Sequence, residues 1–243
     1  MKKTFFSLLM FAFFLCSLGQ TTDNSAKSSP RPKLEDMEVK DANGMVYPST
    51  IWQQLLTSGK YGIKLMPDGK TALISKLSEG ETNTRLLKLP KPVESKFFRT
   101  GEKIPSFKET DMNGNKYSLK ELAGKIVVLN FWFINCPPCR KEIPDLNEVV
   151  ESFKDNKDVV FIAVALDEKR DIQDFLKANP FTYSIIDNGR YIAQRYNVTS
   201  YPTHVVLDRQ GKVAFHTSGL AMNTVLWVKK SIEAALNETV APQ

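Results

Sequence analysis

Residues 131–144 read FWFINCPPCRKEIP and place two cysteines, Cys136 and Cys139, two residues apart. The run KIVVLNFWF, residues 125–133, is apolar, branched and aromatic, which indicates a strand buried on both faces. The residues after the cysteines carry apolar side chains at helical spacing, and Pro144 within this pattern predicts a kink. The sequence therefore predicts that the cysteine pair lies where a buried strand gives way to a helix.

The cysteine pair could in principle hold a metal, brace the chain or carry redox chemistry. A structural zinc site needs four ligands, and only His204 and His216 could complete one, at a separation that matches no zinc motif. A bridge between residues so close in sequence stabilises a chain by only about 2 kcal/mol before strain is subtracted. We therefore expect no metal site here and favour a disulfide that is made and broken.

Redox chemistry explains where the pair is placed. Backbone N–H groups at a helix N-terminus, together with the helix dipole, favour a thiolate at the first cysteine. We expect Cys136 to be the exposed nucleophile and Cys139, one turn further, to be the resolving thiol that attacks the mixed disulfide. Pro137 and Pro138 suit the first helical turn, where a missing N–H costs nothing.

Patterns around this stretch indicate two folded parts. From residue 97 onward, strand-like runs alternate with helical patterns and end in a hairpin and a helix, which predicts an α/β domain with a mixed sheet over 97–243. Residues 34–96 predict a small helix-hairpin module of unknown role: the run IWQQLLTSG is typical of a short helix, and the turn at 67–70 of a hairpin. The segment LPKPVESK, residues 89–96, is interpreted as a linker.

The N-terminus predicts export. Residues 1–19 combine two lysines, an apolar run and small residues before Gly19, which is typical of a cleaved secretory signal peptide. Residues 20–33 are polar and predict a flexible leader. The mature chain is then periplasmic or otherwise extracytoplasmic, where disulfides persist. The alternative is a membrane-anchored protein with an uncleaved N-terminus or one lipidated at Cys16.

Charge and composition exclude some partners. The chain of 243 residues is 42% apolar and 25% charged, as in ordinary globular proteins. Its formal net charge of +6 falls to +4 once Lys2 and Lys3 leave with the signal peptide. The excess is spread along the chain without a basic block, so we expect no nucleic-acid partner.

Two motifs, FWFINCPPCRKEIPDL and NVTSYPTHVVLD, resemble the TlpA/ResA branch of exported thiol-disulfide oxidoreductases in the thioredoxin superfamily. The resemblance covers residues 98–240 and implies a thioredoxin-like fold, with a mixed central sheet flanked by helices and this branch's insertion over 169–187. It further implies that Pro202 is a cis-proline, which X-Pro bonds permit. Tyr201 before it would present backbone groups to a substrate chain.

Near the two motifs, the chain differs from thioredoxins at one position and carries three titratable side chains. Thioredoxins have a buried Asp six residues before the first cysteine, whereas this chain has Asn130, which cannot titrate. Glu142 matches the family's acidic residue, with a proton-transfer role or a solvated first-turn acid as alternatives. His204 is either a structural histidine, a modulator of the thiol pKa or a soft-metal ligand. His216 is expected to face solvent.

The resemblance sets the expected function. No histidine lies between the cysteines, so we expect a reductase-leaning couple. Electrons would come from a membrane thiol-reductant donor, which implies membrane proximity, and pass without a cofactor to cysteine-containing exported proteins, as in cytochrome c maturation.

Two rival functions use the same thiols. One is Cu(I) binding, since thiolates suit a soft ion, although copper-handling relatives space their cysteines by three residues. The other is peroxide reduction, which would need Pro-x-x-x-Thr-x-x-Cys, whereas residues 129–136 read LNFWFINC.

Overall fold

The structure is a computed structural model that describes residues 33–238. The predicted signal peptide, Cys16 and all but the last residue of the predicted leader lie outside the described residues. Within the described span, no helix combines the length and the apolar character needed to cross a membrane.

The first part of the described chain forms a three-stranded sheet with two helices. It comprises a 3₁₀ turn (Leu34–Asp36), β1 (Glu38–Lys40), α1 (Ser49–Thr57), β2 (Tyr61–Leu65), β3 (Thr71–Lys76) and α2 (Glu79–Leu87). Strand β3 is central, with β2 antiparallel and β1 parallel to it. The predicted helix and hairpin are present as α1 and β2–β3. Trp52 of α1 is buried with Val39 and Ile74 of the sheet, which gives this part its own small core.

Helix α2 is absent from the sequence-based prediction, although its start is strongly encoded. Ser78 Oγ accepts the backbone N–H of Glu81 at 3.3 Å, and Glu81 Oε2 accepts the backbone N–H of Ser78 at 2.9 Å. This reciprocal capping box satisfies two N–H groups that a helix start otherwise leaves without partners.

The second part is built on a five-stranded mixed sheet. Its elements are the small β4 (Lys108–Thr110) and β5 (Lys116–Ser118) pair, then β6 (Ile126–Trp132), α3 (Pro137–Ser152), β7 (Val159–Ala165), α4 (Lys169–Leu176), β8 (Ser184–Ile186), α5 (Arg190–Arg195), β9 (Thr203–Leu207), β10 (Val213–Ser218) and α6 (Thr224–Asn237). The strand order is β10-β9-β6-β7-β8; β6, β7 and β8 are parallel, and β9 and β10 join antiparallel. The mixed sheet flanked by helices confirms the predicted fold class.

Strand β6 is central and every one of its residues is buried. Its side chains alternate between two apolar cores, because successive residues of a strand point to opposite faces. Val128 and Trp132 belong to the core that contains α3, α6 and both cysteines, whereas Leu129 and Phe131 belong to the core on the α5 side. Asn130 lies opposite His204 in the β6–β9 register, and the alternation places both on the α3 face.

The segment 89–96 runs against β10. The Thr217 hydroxyl donates to the carbonyl of Val93 at 2.7 Å, and the backbone N–H of Ser95 donates to Nδ1 of His216 at 3.1 Å. The expectation that His216 faces solvent is therefore wrong: its exposed fraction is 1%. Ser95 and the ring of Phe98 cover His216, and both lie more than 100 residues earlier in the chain. The alternation of side chains along β10 therefore could not predict this burial.

Candidate active site

The two cysteines form a disulfide at the start of α3. Their sulfur atoms are bonded and their Cα atoms lie 5.3 Å apart. Cys136 is the N-cap of α3, and its Sγ accepts the backbone N–H of Cys139 at 3.3 Å. Pro137 and Pro138 occupy the first helical positions, where no N–H is needed. The predicted placement between a buried strand and a helix is confirmed.

The exposure of the pair differs from the expectation. Cys136 is 3% exposed and Cys139 is 2% exposed, so the prediction of an exposed Cys136 is wrong for the disulfide form. Both sulfurs belong to the apolar core on the α3 face, against which Phe133 and Tyr201 pack. The two cysteines differ in their position on the helix rather than in their accessibility.

The cis-proline predicted from the resemblance is present. The peptide bond between Tyr201 and Pro202 is cis, directly before β9, which pairs with β6. The Tyr201 ring meets the Phe133 ring edge to face, with 5.4 Å between centroids. Its hydroxyl donates to the carbonyl of Val198 at 3.1 Å, and burial raises its pKa. The Tyr201 ring thus joins the loop that precedes the cysteines to the loop that precedes β9.

Glu142 and His204 form a buried pair. His204 Nε2 and Glu142 Oε1 lie 2.7 Å apart, and their side chains are 0% and 2% exposed. The alternative of a solvated first-turn acid is therefore wrong for Glu142. The Asn130 side-chain nitrogen lies 3.2 Å from His204 Nδ1, so the three side chains form one chain of contacts from α3 through β9 to β6.

Two buried polar atoms at this place lack a hydrogen-bond partner among the described residues: the second carboxylate oxygen of Glu142 and the Tyr183 hydroxyl. Burial and, after it, the negative charge of Glu142 raise the pKa of Tyr183. Tyr183 therefore lies within electrostatic reach of Glu142.

Sequence reasoning singled out Glu142 and His204 separately but did not predict that they touch. Asn130 could have indicated the contact. It occupies the position of the buried acid of thioredoxins, and the strand that pairs with β6 places a side chain beside it. Tyr183 and Asp167 were not predicted as parts of the site. Asp167 Oδ2 accepts the backbone N–H of Ile134, two residues before Cys136, at 2.7 Å.

Comparison with known proteins decides the family. A family model described as the AhpC/TSA family matches residues 100–216. A thiol-disulfide oxidoreductase ResA of Bacillus cereus is 40% identical over 115 residues, which are 46% of this chain and 66% of that protein. ResA of Bacillus thuringiensis subsp. konkukian is 38% identical over 121 residues, 49% of this chain and 69% of that protein. The chain belongs to the ResA family of thiol-disulfide oxidoreductases.

Solved structures agree with the ResA assignment. A candidate thiol:disulfide interchange protein DsbE from Chlorobium tepidum has a TM-score of 0.53 at 29% identity, with 58% of this chain and 99% of that chain covered. A candidate protein disulfide isomerase from Bacteroides thetaiotaomicron has a TM-score of 0.54 at 29% identity, with coverages of 58% and 92%. The thioredoxin-like part is thus a thiol-disulfide oxidoreductase domain, and the ResA relatives are matched over about two thirds of their length.

Proposed function

We propose that this ResA-type enzyme exchanges its Cys136–Cys139 couple with cysteines of exported proteins and works as a reductase. In the reduced enzyme, the Cys136 thiolate attacks a partner disulfide, forms a mixed disulfide and releases one partner sulfur as a thiolate. The Cys139 thiolate then attacks Cys136 Sγ, which closes the enzyme disulfide and releases the second partner sulfur. Two electrons pass from the enzyme to the partner.

The observation that carries this proposal is the disulfide at the head of α3. A thiolate at Cys136 would receive the Cys139 backbone N–H and the positive end of the helix dipole, and both favour the charged sulfur. Cys139 lies in the first turn of the helix, three residues after Cys136. These positions support Cys136 as the attacking thiol and Cys139 as the resolving thiol.

The substrate chain is proposed to bind beside the cis peptide. Tyr201 and Pro202 come directly before β9 and lie in the second family motif, where backbone groups can pair with an extended partner. Exposed Asn135 and Pro137 form the rim that a partner meets around the buried disulfide. Because the disulfide is buried, we expect the partner to insert an extended segment in order to reach it.

Trapping tests the assignment of the two thiols. Cys139→Ala should retain partner proteins on Cys136 as mixed disulfides, and mass spectrometry of the adducts identifies them. Cys136→Ala is the matched control and should retain none. Equal trapping by both variants would overturn the assignment. Reduction of insulin by the unsubstituted enzyme checks the exchange activity itself.

The direction of electron flow and the setting rest on the resemblance. No histidine lies between the cysteines, which supports a couple nearer to thioredoxin, about −270 mV, than to the strong oxidant DsbA, about −120 mV. Equilibration with dithiothreitol or glutathione buffers measures this potential, and a value near the DsbA end would reverse the direction. The proposed setting is extracytoplasmic, with a membrane thiol-reductant donor upstream and apocytochromes among the substrates.

Cu(I) binding by the same thiols finds less support. Both ring nitrogens of His204 already contact other side chains, Asn130 and Glu142, so this ring is poorly placed to complete a copper site. Titration of the reduced protein with Cu(I) against a competing chelator should show only the affinity of an ordinary dithiol.

A further inference from the structure

A cavity of about 490 Å³ lies between the N-terminal module (residues 34–96) and helices α3 and α6. Ligand pockets commonly have volumes of about 300–1,000 Å³ and form preferentially where two folded parts meet. Large apolar side chains from the module, from α3, from α6 and from the loop before α6 line the cavity: Leu77, Leu86, Val149, Met222, Val225 and Leu226. The cavity is therefore large enough and apolar enough to enclose a large apolar side chain of a partner.

The charged side chains that line the cavity are largely paired with each other. Lys60 Nζ lies 2.5 Å from Asp145 Oδ1 and 3.4 Å from Glu148 Oε2. Lys229 Nζ lies 3.2 Å from Glu79 Oε1. An ionic ligand would have to displace these pairs, whereas a peptide can insert an apolar side chain and use its backbone N–H and C=O groups at the polar edge. The lining thus favours a polypeptide over a charged small molecule.

Close packing holds the two sides of the cavity together. The Asn223 amide nitrogen donates to the carbonyls of Leu86 at 3.3 Å and Pro90 at 3.0 Å. Gly59 also packs on this place, because a Cβ there would lie 2.8 Å from Leu86 Cδ2 and 3.1 Å from Met222 Sδ. The cavity is therefore formed before a partner binds, which lowers the entropic cost of binding.

The loop after β10 connects the cis peptide to this cavity. The backbone N–H of Gly219 donates to the carbonyl of Pro202 at 2.8 Å, so the loop begins beside the substrate-binding position proposed above. Leu220 and Met222 of the loop are exposed, and Met222 lines the cavity. The loop therefore offers an apolar surface that is continuous with the active site.

One face of α3 leads in the same direction. The exposed residues Pro137, Pro144 and Glu148 are separated by seven and four positions, a spacing that places them on one side of a helix. At 1.5 Å per helical residue, the part of α3 that lines the cavity, residues 145–149, begins about 14 Å and ends about 20 Å after Cys136. An extended chain rises about 3.3 Å per residue, so about four to six residues cover this distance.

We propose that the cavity is a second binding site for the polypeptide partner, and that it takes an apolar side chain about four to six residues from the partner's reactive cysteine. While Cys136 holds that cysteine in the mixed disulfide, the intervening residues run between the loop after β10 and α3. The N-terminal module then selects among partners, because it supplies Leu77 and Leu86 to the site. This inference rests on the proposed function and adds the kind of segment that the enzyme prefers.

Peptides of one length test the spacing. Each carries a single cysteine, activated as its disulfide with thionitrobenzoate, in a background of serine, threonine and glycine. One leucine lies two, five or ten residues from the cysteine, on either side. Attack by Cys136 on the peptide sulfur joins the two sulfurs and releases thionitrobenzoate, whose absorbance gives the rate.

Leucine at the fifth position should raise the second-order rate constant about tenfold over a peptide without leucine, because the fit of an apolar group in such a pocket contributes at least that much. The increase should occur on one side of the cysteine only, since the path leaves the disulfide in one direction. Leucine at the second or tenth position should raise the rate constant by less than about twofold, because neither spacing matches the path.

Met222→Glu places a charge at the cavity and should reduce the leucine effect to less than about twofold. Met45→Glu is the matched control, because Met45 is another exposed methionine and does not line the cavity. This control should keep the full leucine effect. The inference is wrong if leucine has no effect at any position, or if Met222→Glu retains the effect. If the enzyme reacts with every peptide no faster than free glutathione does, the proposed function fails instead.

Photocrosslinking locates the bound side chain directly. A peptide with benzoylphenylalanine at the fifth position is held on Cys136 of the Cys139→Ala variant and irradiated. Mass spectrometry of proteolytic fragments should find the label on Met222 or Leu226, which line the cavity. Labelling of another surface would overturn the assignment. So would a leucine effect that disappears as the enzyme concentration rises, because a second copy of the chain would then fill the cavity.

Discussion

The backbone N–H of Ile134 donates to Oδ2 of Asp167 over 2.7 Å, and this contact ties the cysteine loop to the end of the neighbouring strand. Ile134 lies between β6 and α3, and Asp167 follows β7, which runs parallel to β6. Parallel neighbours end at the same edge of a sheet, so the acid after one strand can fix the loop after the other. The carboxylate thus restrains the approach to Cys136 without touching a cysteine.

Asp167→Ala should lower the free energy of unfolding by about 1.5–3 kcal/mol, the usual contribution of a hydrogen bond to a charged group. The loop before Cys136 would lose its anchor, so insulin reduction should slow as well. Urea unfolding and insulin turbidity measure the two effects. Asp167→Asn is the matched control: its amide oxygen can still accept the Ile134 N–H, so both losses should be smaller. An Asp167→Ala enzyme that matches the unsubstituted one in both assays would contradict the anchoring role.

The Glu142–His204 pair should show strong coupling in stability. Glu142→Ala or His204→Ala alone should cost about 3–5 kcal/mol, because each leaves a buried polar partner uncompensated. The double substitution should cost clearly less than the sum, with a coupling energy of about 0.5–3 kcal/mol. Urea unfolding of the four proteins at pH 7 gives the cycle. Additive losses would show that the 2.7 Å contact contributes nothing of its own.

The sequence predicts the parts of this molecule that local pattern controls. The run at residues 125–133 is apolar throughout because β6 is covered on both faces, so the sequence predicts a buried strand. The turn at 67–70 contains a glycine with positive φ, so the sequence predicts a hairpin there. The cis bond at Pro202 came from the resemblance, since a proline before a strand is ordinarily trans.

The parts that sequence reasoning missed depend on distant contacts. His216 is buried by Ser95, 121 residues earlier in the chain, and Glu142 by His204, 62 residues later. Helical position alone made Glu142 equally consistent with a solvated acid. Cys136 likewise lies in a core against which Tyr201, from a distant loop, packs.

His216 should make stability depend on pH. Burial lowers its pKa below the ordinary 6.5; the charge of Lys91 acts in the same direction, and that of Glu94 opposes both. Between the folded and unfolded pKa values, the unfolded chain binds more protons, so stability rises with pH. The contribution is complete above about pH 6.5 and is lost as pH falls toward the folded pKa.

The comparison with His216→Gln isolates this effect, because the variant cannot titrate at position 216. Urea unfolding of both proteins between pH 7.5 and pH 5 should show the unsubstituted enzyme losing more stability on acidification than the variant. A difference between the two that stays constant across this range would remove His216 as the source.

The contact between the N-terminal module and the thioredoxin-like part should depend more on one buried amide than on its ion pairs. The Asn223 amide nitrogen, in a side chain that is 1% exposed, donates to the carbonyls of Pro90 at 3.0 Å and Leu86 at 3.3 Å. Lys60 Nζ lies 2.5 Å from Asp145 Oδ1, but both side chains remain partly exposed. Buried hydrogen bonds are costly to break, whereas such surface ion pairs contribute little.

Asn223→Ala should therefore cost about 1–3 kcal/mol of unfolding free energy, because two carbonyls near α2 lose their donor. Lys60→Met, which keeps the aliphatic stem, should cost less than about 1 kcal/mol. Urea unfolding gives both values, and trypsin cleavage at the exposed Lys88 and Lys96 reports local release of the segment that packs against β10. Faster cleavage is expected in Asn223→Ala only. If Lys60→Met proves the more damaging of the two, the ion pair rather than the amide holds the module in place.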